Sequence, residues 1–262
     1  MKIKKIFLPI IVLFFLITAC NDDDLLPINS ILNVLGVSSS NDDVVCLFRI
    51  CSWHRWHRDF NSQGNYGSWY LSSNNYCWAY ISDGFQFVNP ASINCNGVPM
   101  IRLEDGQFEY HNNVGHLSLI NWNIINMLGA TYNETDTNLP MIDFTSIRNG
   151  DTINVSQGLN IQYTGTVDGI DSILVTFDYN YYVGYSNEVN YYRFEKLFPN
   201  DGNIVLTAND LQYFPVSTID ATFLASGSIE LFHKKYVEEE FNGRTIAKVY
   251  ETSMLIWATF VR

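Results

Sequence analysis

Residues 234–251 read KKYVEEEFNGRTIAKVYE, and the Phe241-Asn242-Gly243-Arg244 segment near their centre decides the fold class. Asn-Gly favours a two-residue type I′ turn, because both central positions need positive φ. Folding about that turn sets Glu240 opposite Thr245, Tyr236 opposite Val249 and Lys234 opposite Glu251. An aromatic ring then faces a β-branched residue and a cation faces an anion, pairs worth ~0.2–1 kcal/mol each. Beyond the turn the chain ends in an apolar strand near Met254–Val261, read as an inner strand.

Upstream, Ser172 to Tyr179 alternates, with Ile173, Val175, Phe177 and Tyr179 on one face and Leu174, Thr176 and Asp178 on the other. Period-two patterning of this kind marks a half-buried strand. Further short β-type runs lie between Gly, Asn and Asp turns: Val45–Cys51, Ser68–Leu71, Tyr76–Ile81, Ser92–Cys95, Met100–Leu103, Gln107–His111 and Leu117–Ile125. No long 3.6-residue periodicity and no convincing repeat interrupts them. The stretch from Thr131 to Gly150 loses the pattern and reads as a junction. The expectation is all-β: a small disulfide-stapled β-rich domain over 45–130, then a jelly-roll or immunoglobulin-like β-sandwich over 151–262.

The first nineteen residues carry a different message. Lys2, Lys4 and Lys5 precede an apolar run from Ile6 to Ile17 that contains Pro9. That run is shorter than the ~20 residues a bilayer span needs, so 1–19 reads as a signal peptide. Leu16-Ile17-Thr18-Ala19-Cys20 resembles a lipobox, which implies acylation of Cys20 and a lipid anchor in the membrane. Asn21-Asp22-Asp23-Asp24 is similar to the surface-export signal of Bacteroidota lipoproteins, implying an outer-membrane protein exposed on the cell surface. Residues 20–44 read as a flexible acidic tether, with one helical turn allowed in the apolar patch Ile31 to Val37.

The formal charge is −12; losing the three signal lysines takes it to about −15. Nothing forms a basic stripe, so nucleic acid is excluded as a partner. Four cysteines remain after Cys20: Cys46, Cys51, Cys77 and Cys95. An even number in an exported chain points to two disulfides, with three connectivities open.

Ser52 to Phe87 concentrates aromatic area, with Trp53, Trp56, Trp69 and Trp78 accounting for four of the six tryptophans. With Tyr70, Arg55 and Arg58 they form the candidate ligand-binding set. Exposed rings stack on sugars while Asn, Asp and Arg hold hydroxyls; alternatively, the same rings build the core of a small domain. Cys51-Ser52-Trp53-His54-Arg55-Trp56-His57 has a C-x₂-H-x₂-H spacing that zinc would accept. An oxidising compartment, the opposite faces of His54 and His57 in a strand, and the neighbouring Arg55 and Arg58 argue against a metal. His111 and His116 flank a turn, and His233 sits in strand patterning. No nucleophile elbow, H-E-x-x-H, P-loop or dinucleotide fingerprint occurs. Glu104 with Asp105, and Glu238 to Glu240, are carboxylates without a readable separation. No cofactor and no catalytic residue is assigned.

Ile93-Asn94-Cys95-Asn96-Gly97, Tyr110 and Leu119-Ile120-Asn121-Trp122-Asn123-Ile124 are similar to segments of uncharacterised Bacteroidota surface lipoproteins. Gly158-Leu159-Asn160-Ile161, Asn200-Asp201-Gly202, Asn209-Asp210-Leu211 and the closing hairpin extend the resemblance over roughly 90–262. It implies a C-terminal β-sandwich and carries no catalytic residue. The functional expectation is a lipid-anchored envelope protein, non-catalytic, binding a glycan or other extracellular ligand through its aromatic region. Two alternatives stand beside it: an accessory module meeting a protein partner of an envelope or uptake complex, and a hydrolase with an unrecognised site.

Overall fold

The computed structural model describes Leu32 and residues 44–60, 66–81, 90–103, 107–113, 115–182, 189–214 and 226–261. The signal peptide, Cys20, the acidic run after it, Glu104 and Asp105 lie outside the described residues. The strands are β1 (Val44–Phe60), β2 (Tyr66–Ile81), β3 (Ser92–Cys95), β4 (Val98–Pro99), β5 (Ile101–Arg102), β6 (Phe108–Asn112), β7 (Leu119–Ile125) and β8 (Thr131–Thr137). They continue as β9 (Asp143–Phe144), β10 (Thr152–Asn154), β11 (Leu159–Thr164), β12 (Ser172–Tyr182), β13 (Val189–Pro199), β14 (Asn203–Leu206), β15 (Ser226–Phe241) and β16 (Arg244–Val261). One 3-10 turn at Val155–Gln157 interrupts them. No helix among these residues is long and apolar enough to cross a membrane.

The closing hairpin forms as its turn chemistry dictates. Asn242 and Gly243 sit at φ 52° and 73°, and Glu240, Tyr236 and Lys234 pair with Thr245, Val249 and Glu251. The last strand is an inner one, and longer than its apolar run suggests. β15 lies antiparallel on one side of β16, while β1 lies parallel on the other from Val44 to Arg55. This creates one large sheet ordered β13-β12-β15-β16-β1-β2-β6-β5, with β10 also pairing the end of β16. Strands from both halves of the chain therefore belong to one sheet.

Two smaller sheets, β4-β3-β7-β8 and β14-β11-β9, supply the opposing layers. Alternation puts Phe48, Ile50, Cys77, Ile246 and Tyr250 in a core with Ile93, Ile120, Trp122 and Tyr132; the Phe48 and Trp122 centroids are 4.5 Å apart. A second core packs Val175, Phe177, Ile256 and Phe260 against Ile161, Tyr163, Ile204 and Leu206. The cores interleave along the chain: Leu139, Ile170, Ile246 and Tyr250 belong to the first, and Ile142, Ile173 and Met254 to the second. The fold is all-β, with sheets packed face to face as in a β-sandwich.

Several local expectations change. Ser68–Leu71 and Tyr76–Ile81 are parts of one strand. Ser72 to Asn75, polar and turn-like in sequence, pair instead with Ser52 to Arg55 of an extended β1. Thr131–Thr137, expected in a junction, pairs with β7 along its whole length. Leu32, expected in the tether, is 1% exposed and packs on Leu47, Ala247 and Val249.

The disulfide expectation is corrected: Cys46, Cys51, Cys77 and Cys95 are free, buried thiols. Cys46 and Cys51 share one strand and lie five residues apart, ~17 Å at the rise of an extended chain. A disulfide needs Cα atoms within ~7 Å, so this pair cannot close. Cys46 joins the core beneath the sheet, whereas Cys51 points to the other face and donates to Glu251 Oε2 at 2.8 Å. Cys77 and Cys95 meet as hydrogen-bonded thiols. The stapling role thus falls to packing.

Gly227 marks the tightest approach in this arrangement. A Cβ there would stand 2.3 Å from Phe260 Cε2 and 3.0 Å from the Asp178 carbonyl oxygen. Gly227→Ala is expected to lower stability by ~1–3 kcal/mol through overpacking. Urea unfolding checks it, and an unchanged midpoint would contradict the packing described.

Candidate functional site

Period two divides the predicted aromatic set between the two faces of the β1–β2 ribbon. Trp53, Arg55, Tyr70 and Trp78 share the outer face; Trp56, Arg58 and Trp69 share the inner one. On the outer face Tyr76 is the hub. Its ring stacks on His111 at 4.3 Å and Trp78 at 5.2 Å and meets Trp53 at 5.1 Å. Arg49 lies over the Trp78 ring at 4.9 Å, and Trp78 Nε1 donates to Glu109 Oε2 at 2.8 Å. Arg55 stands 5.9 Å from the Trp53 ring. These rings mainly stack on one another. Beneath them Glu251 accepts from Arg49 Nε at 2.8 Å and faces Lys234 Nζ at 3.4 Å. Burial pushes its carboxyl up, but the Arg49 and Lys234 charges and the hydrogen bonds from Cys51 and Arg49 together hold it below the usual range.

The inner face turns two tryptophans into walls. Trp56 and Trp69 line a pocket of about 250 Å³, with Phe144, Ile147 and Ile256 as its apolar surface and Asp143, Arg148 and Asn149 as its polar groups. Trp56 is fixed from behind, since Trp257 Nε1 donates to its carbonyl oxygen at 2.8 Å. Trp69 has Arg58 over its ring at 5.4 Å. A Cβ at Gly150 would make an ordinary contact with Trp69 Nε1 at 3.4 Å, and glycine suits the position because its φ is +91°. Asn149 Oδ1 accepts from the Trp257 backbone N–H at 2.9 Å, which orients the amide. Its Nδ2 is buried without a hydrogen-bond partner. A buried amide donor left unpaired costs about 1–3 kcal/mol, so an acceptor arriving from a ligand would be favoured there. Flat aromatic walls, one fixed donor and a guanidinium at Arg148 suit an oxygen-rich ring with an apolar face.

Of the seven predicted binding residues, the pocket brings together Trp56 and Trp69, with Arg58 stacked behind. Trp53, Tyr70, Trp78 and Arg55 are on the opposite face. Sequence reading missed Asp143, Phe144, Ile147, Arg148, Asn149 and Ile256. The first five fall in the stretch read as a junction; Asn149-Gly150 before a strand was the available signal.

The zinc spacing dissolves on the same rule, with Cys51 and His57 facing outward and His54 inward. Among the described residues no group of three His, Cys, Asp or Glu side chains converges as metal ligands. His54 and His116 instead meet at 5.3 Å between ring centroids, in a polar belt between the two cores. His54 Nδ1 contacts Ser73 Oγ at 2.8 Å, and Ser52 Oγ donates to Asn75 Oδ1 and accepts from Asn138 Nδ2, both at 2.8 Å. His233, fully buried, pairs with Thr252 across the hairpin. Its two ring nitrogens and His54 Nε2 have no partner.

The described residues thus form an all-β fold with sandwich-type packing and a small aromatic-walled cleft. No protein-family model matches the chain, and no curated protein does. Among solved structures, one similar chain is DIP-gamma IG1+IG2, at TM-score 0.17 and 6% identity, covering 81% of this chain and 98% of that one. Another is the Bacteroides ovatus mixed-linkage glucan utilization locus SGBP-B in complex with a mixed-linkage heptasaccharide. It stands at TM-score 0.17 and 10% identity, covering 83% of this chain and 66% of that one. Likenesses this weak carry no argument about either fold or function.

The buried imidazoles make stability depend on pH. Burial, and for His54 also the neighbouring His116, lowers His54 and His233 to about 4, and burial lowers His116. Unfolding restores the ordinary value of 6.5, so between these values the unfolded chain binds more protons. The contribution is complete above pH 6.5 and is lost as pH falls toward 4. The melting temperature is expected to drop on the order of 5 °C between about pH 7.5 and about pH 5. His54→Gln should flatten that slope; an equal slope would contradict the assignment.

Proposed function

We propose that this chain is a lipid-anchored, non-catalytic protein of the outer membrane that binds an extracellular glycan. One sugar ring enters the cleft between Trp56 and Trp69. The anchor rests on the lipobox-like Leu16 to Cys20 and the surface position on Asn21 to Asp24. The glycan reading rests on one observation: the unpartnered Asn149 Nδ2 beside two tryptophan walls. Pockets for drug-sized ligands run ~300–1,000 Å³, so a cleft of about 250 Å³ suits a single ring at a chain end or branch. Indole faces cover the apolar C–H face of the ring, Asn149 donates to a hydroxyl or ring oxygen, and Asp143 accepts from hydroxyls. Arg148 makes no ion pair among the described residues, and its guanidinium favours a ring bearing a carboxylate.

Affinity electrophoresis of the full protein against a panel of neutral and uronic-acid-containing glycans tests this. Retardation by at least one glycan is expected, with affinity falling about tenfold or more (~1.4 kcal/mol) in Trp56→Ala, Trp69→Ala and Asn149→Ala. Trp53→Ala and Trp78→Ala, on the other face, should bind as the unaltered chain does. Retardation lost only in the outer-face variants would overturn the choice of cleft, and no retardation at all would overturn the glycan reading.

A further inference from the structure

Lys248 stands in the middle of β16, and its side chain is 1% exposed. Alternation along β8 turns Tyr132, Glu134 and Asp136 toward it. Nζ lies 2.9 Å from Asp136 Oδ1 and 2.7 Å from Glu239 Oε2, and it hydrogen-bonds Glu134 Oε1. Asp136 is held from two further sides. Trp122 Nε1 donates to its Oδ2 at 2.7 Å, and Tyr250 OH donates to Oδ1 at 3.1 Å. Phe48, Trp122, Tyr132 and Tyr250 supply the surrounding core. An amine and a carboxyl group are thus held in direct contact in an aromatic box, with side chains 1% and 5% exposed. Two donors are aimed at the carboxyl oxygens, and the Glu134 and Glu239 carboxyl groups also touch Nζ.

We propose that Lys248 Nζ and Asp136 Cγ become joined by an intramolecular amide bond, with Glu134 relaying the protons. The ammonium passes a proton to Glu134, which hands it to Asp136 Oδ1, and the freed lone pair attacks Cγ of the neutral acid. The C=O electron pair moves onto Oδ2, where Trp122 Nε1 stabilises the developing oxyanion. Glu134 then takes the second proton from Nζ and delivers it to the Oδ1 hydroxyl. The Cγ–Oδ1 bond breaks with its electron pair, and Oδ1 leaves as water. One N–C bond forms, one C–O bond breaks, one water is released, Glu134 is restored and no oxidant is involved.

Three considerations favour the step. Well-oriented intramolecular reactants reach effective molarities of ~10⁵–10⁸ M, and the box holds Nζ against the Asp136 carboxyl group. Condensation removes the two most buried charges of the cluster, Lys248 and Asp136 at 1% and 5% exposed, which are expensive to bury even when paired. It leaves the more exposed Glu134 and Glu239 to solvent. Glu134 suits a relay, since burial first, and then the charges of Asp136 and Glu239 against the pull of Lys248, raise its carboxyl above the usual range. The bond would tie β8 of a small sheet covalently to the central strand of the large one.

Tryptic mapping of the full protein extracted in detergent tests the proposal. The expected product is the peptide Leu103–Arg148 joined to Thr245–Arg262, uncleaved after the acylated Lys248 and one water lighter than the sum. Glu134→Gln should lower the joined fraction about tenfold or more. Lys248→Arg, which keeps a cation among the carboxylates, should abolish it while the chain remains folded by circular dichroism. Separate peptides at full mass in the unaltered protein would overturn the proposal, leaving a buried ion pair. A fully joined Glu134→Gln chain would overturn the relay.

Discussion

The pairing of β16 with β15 on one side and with β1 on the other is the constraint on which the rest of the structure depends. The first is antiparallel and local, closed by a two-residue turn. The second is parallel and brings residue 44 beside residue 245, so it can form only after nearly the whole chain has been gathered. A strand flanked on both sides has its backbone donors and acceptors satisfied along its length. It can therefore serve as an axis for two cores at once. Ile246 and Tyr250 belong to one core and Met254, Ile256, Ala258 and Phe260 to the other.

Between those cores the shared sheet face changes chemistry. Ser52, His54, Asn75, Thr252 and His233 are buried there, each in strand positions where a longer core would place aliphatics. Their hydrogen bonds to Ser73 and Asn138 satisfy part of the belt, and the histidines stay neutral because burial disfavours their charged form. The belt separates two hydrophobic bodies that would otherwise merge. It also makes the centre of the molecule responsive to protons.

The cleft lies at the end of the β1–β2 ribbon, where the loop after β9 and the apolar half of β16 meet it. Its chemistry follows from that position. Tryptophans wide enough to project beyond the sheet form the walls, and a backbone turn at Asn149-Gly150 closes it. The outer face of the same ribbon has more aromatic residues, but they satisfy one another by stacking. The stacked aromatic cluster and the aromatic-walled cleft therefore fall on opposite faces. Period-two alternation of adjacent tryptophans such as Trp53 and Trp56 is the reason.

The sequence by itself determined the strands with strong local signals: the Asn242-Gly243 hairpin with its register, the alternating Ser172 to Tyr179, and Ser92–Cys95. Each depends on turn geometry or patterning within a few residues. It also placed two of the pocket's walls, Trp56 and Trp69, in the binding set, though without separating them from Trp53 and Trp78 on the other face. Tertiary structure alone decided the parallel β1–β16 pairing, the continuation of β2 through Ser72 to Asn75 and the strand at Thr131–Thr137. In all three, partners far away in sequence override weak or contrary local propensity. It alone decided that the cysteines stay apart or meet only as thiols, and that Arg148 and Asn149 stand against Trp56. Such proximities arise from how sheets stack, and no spacing along the chain encodes them.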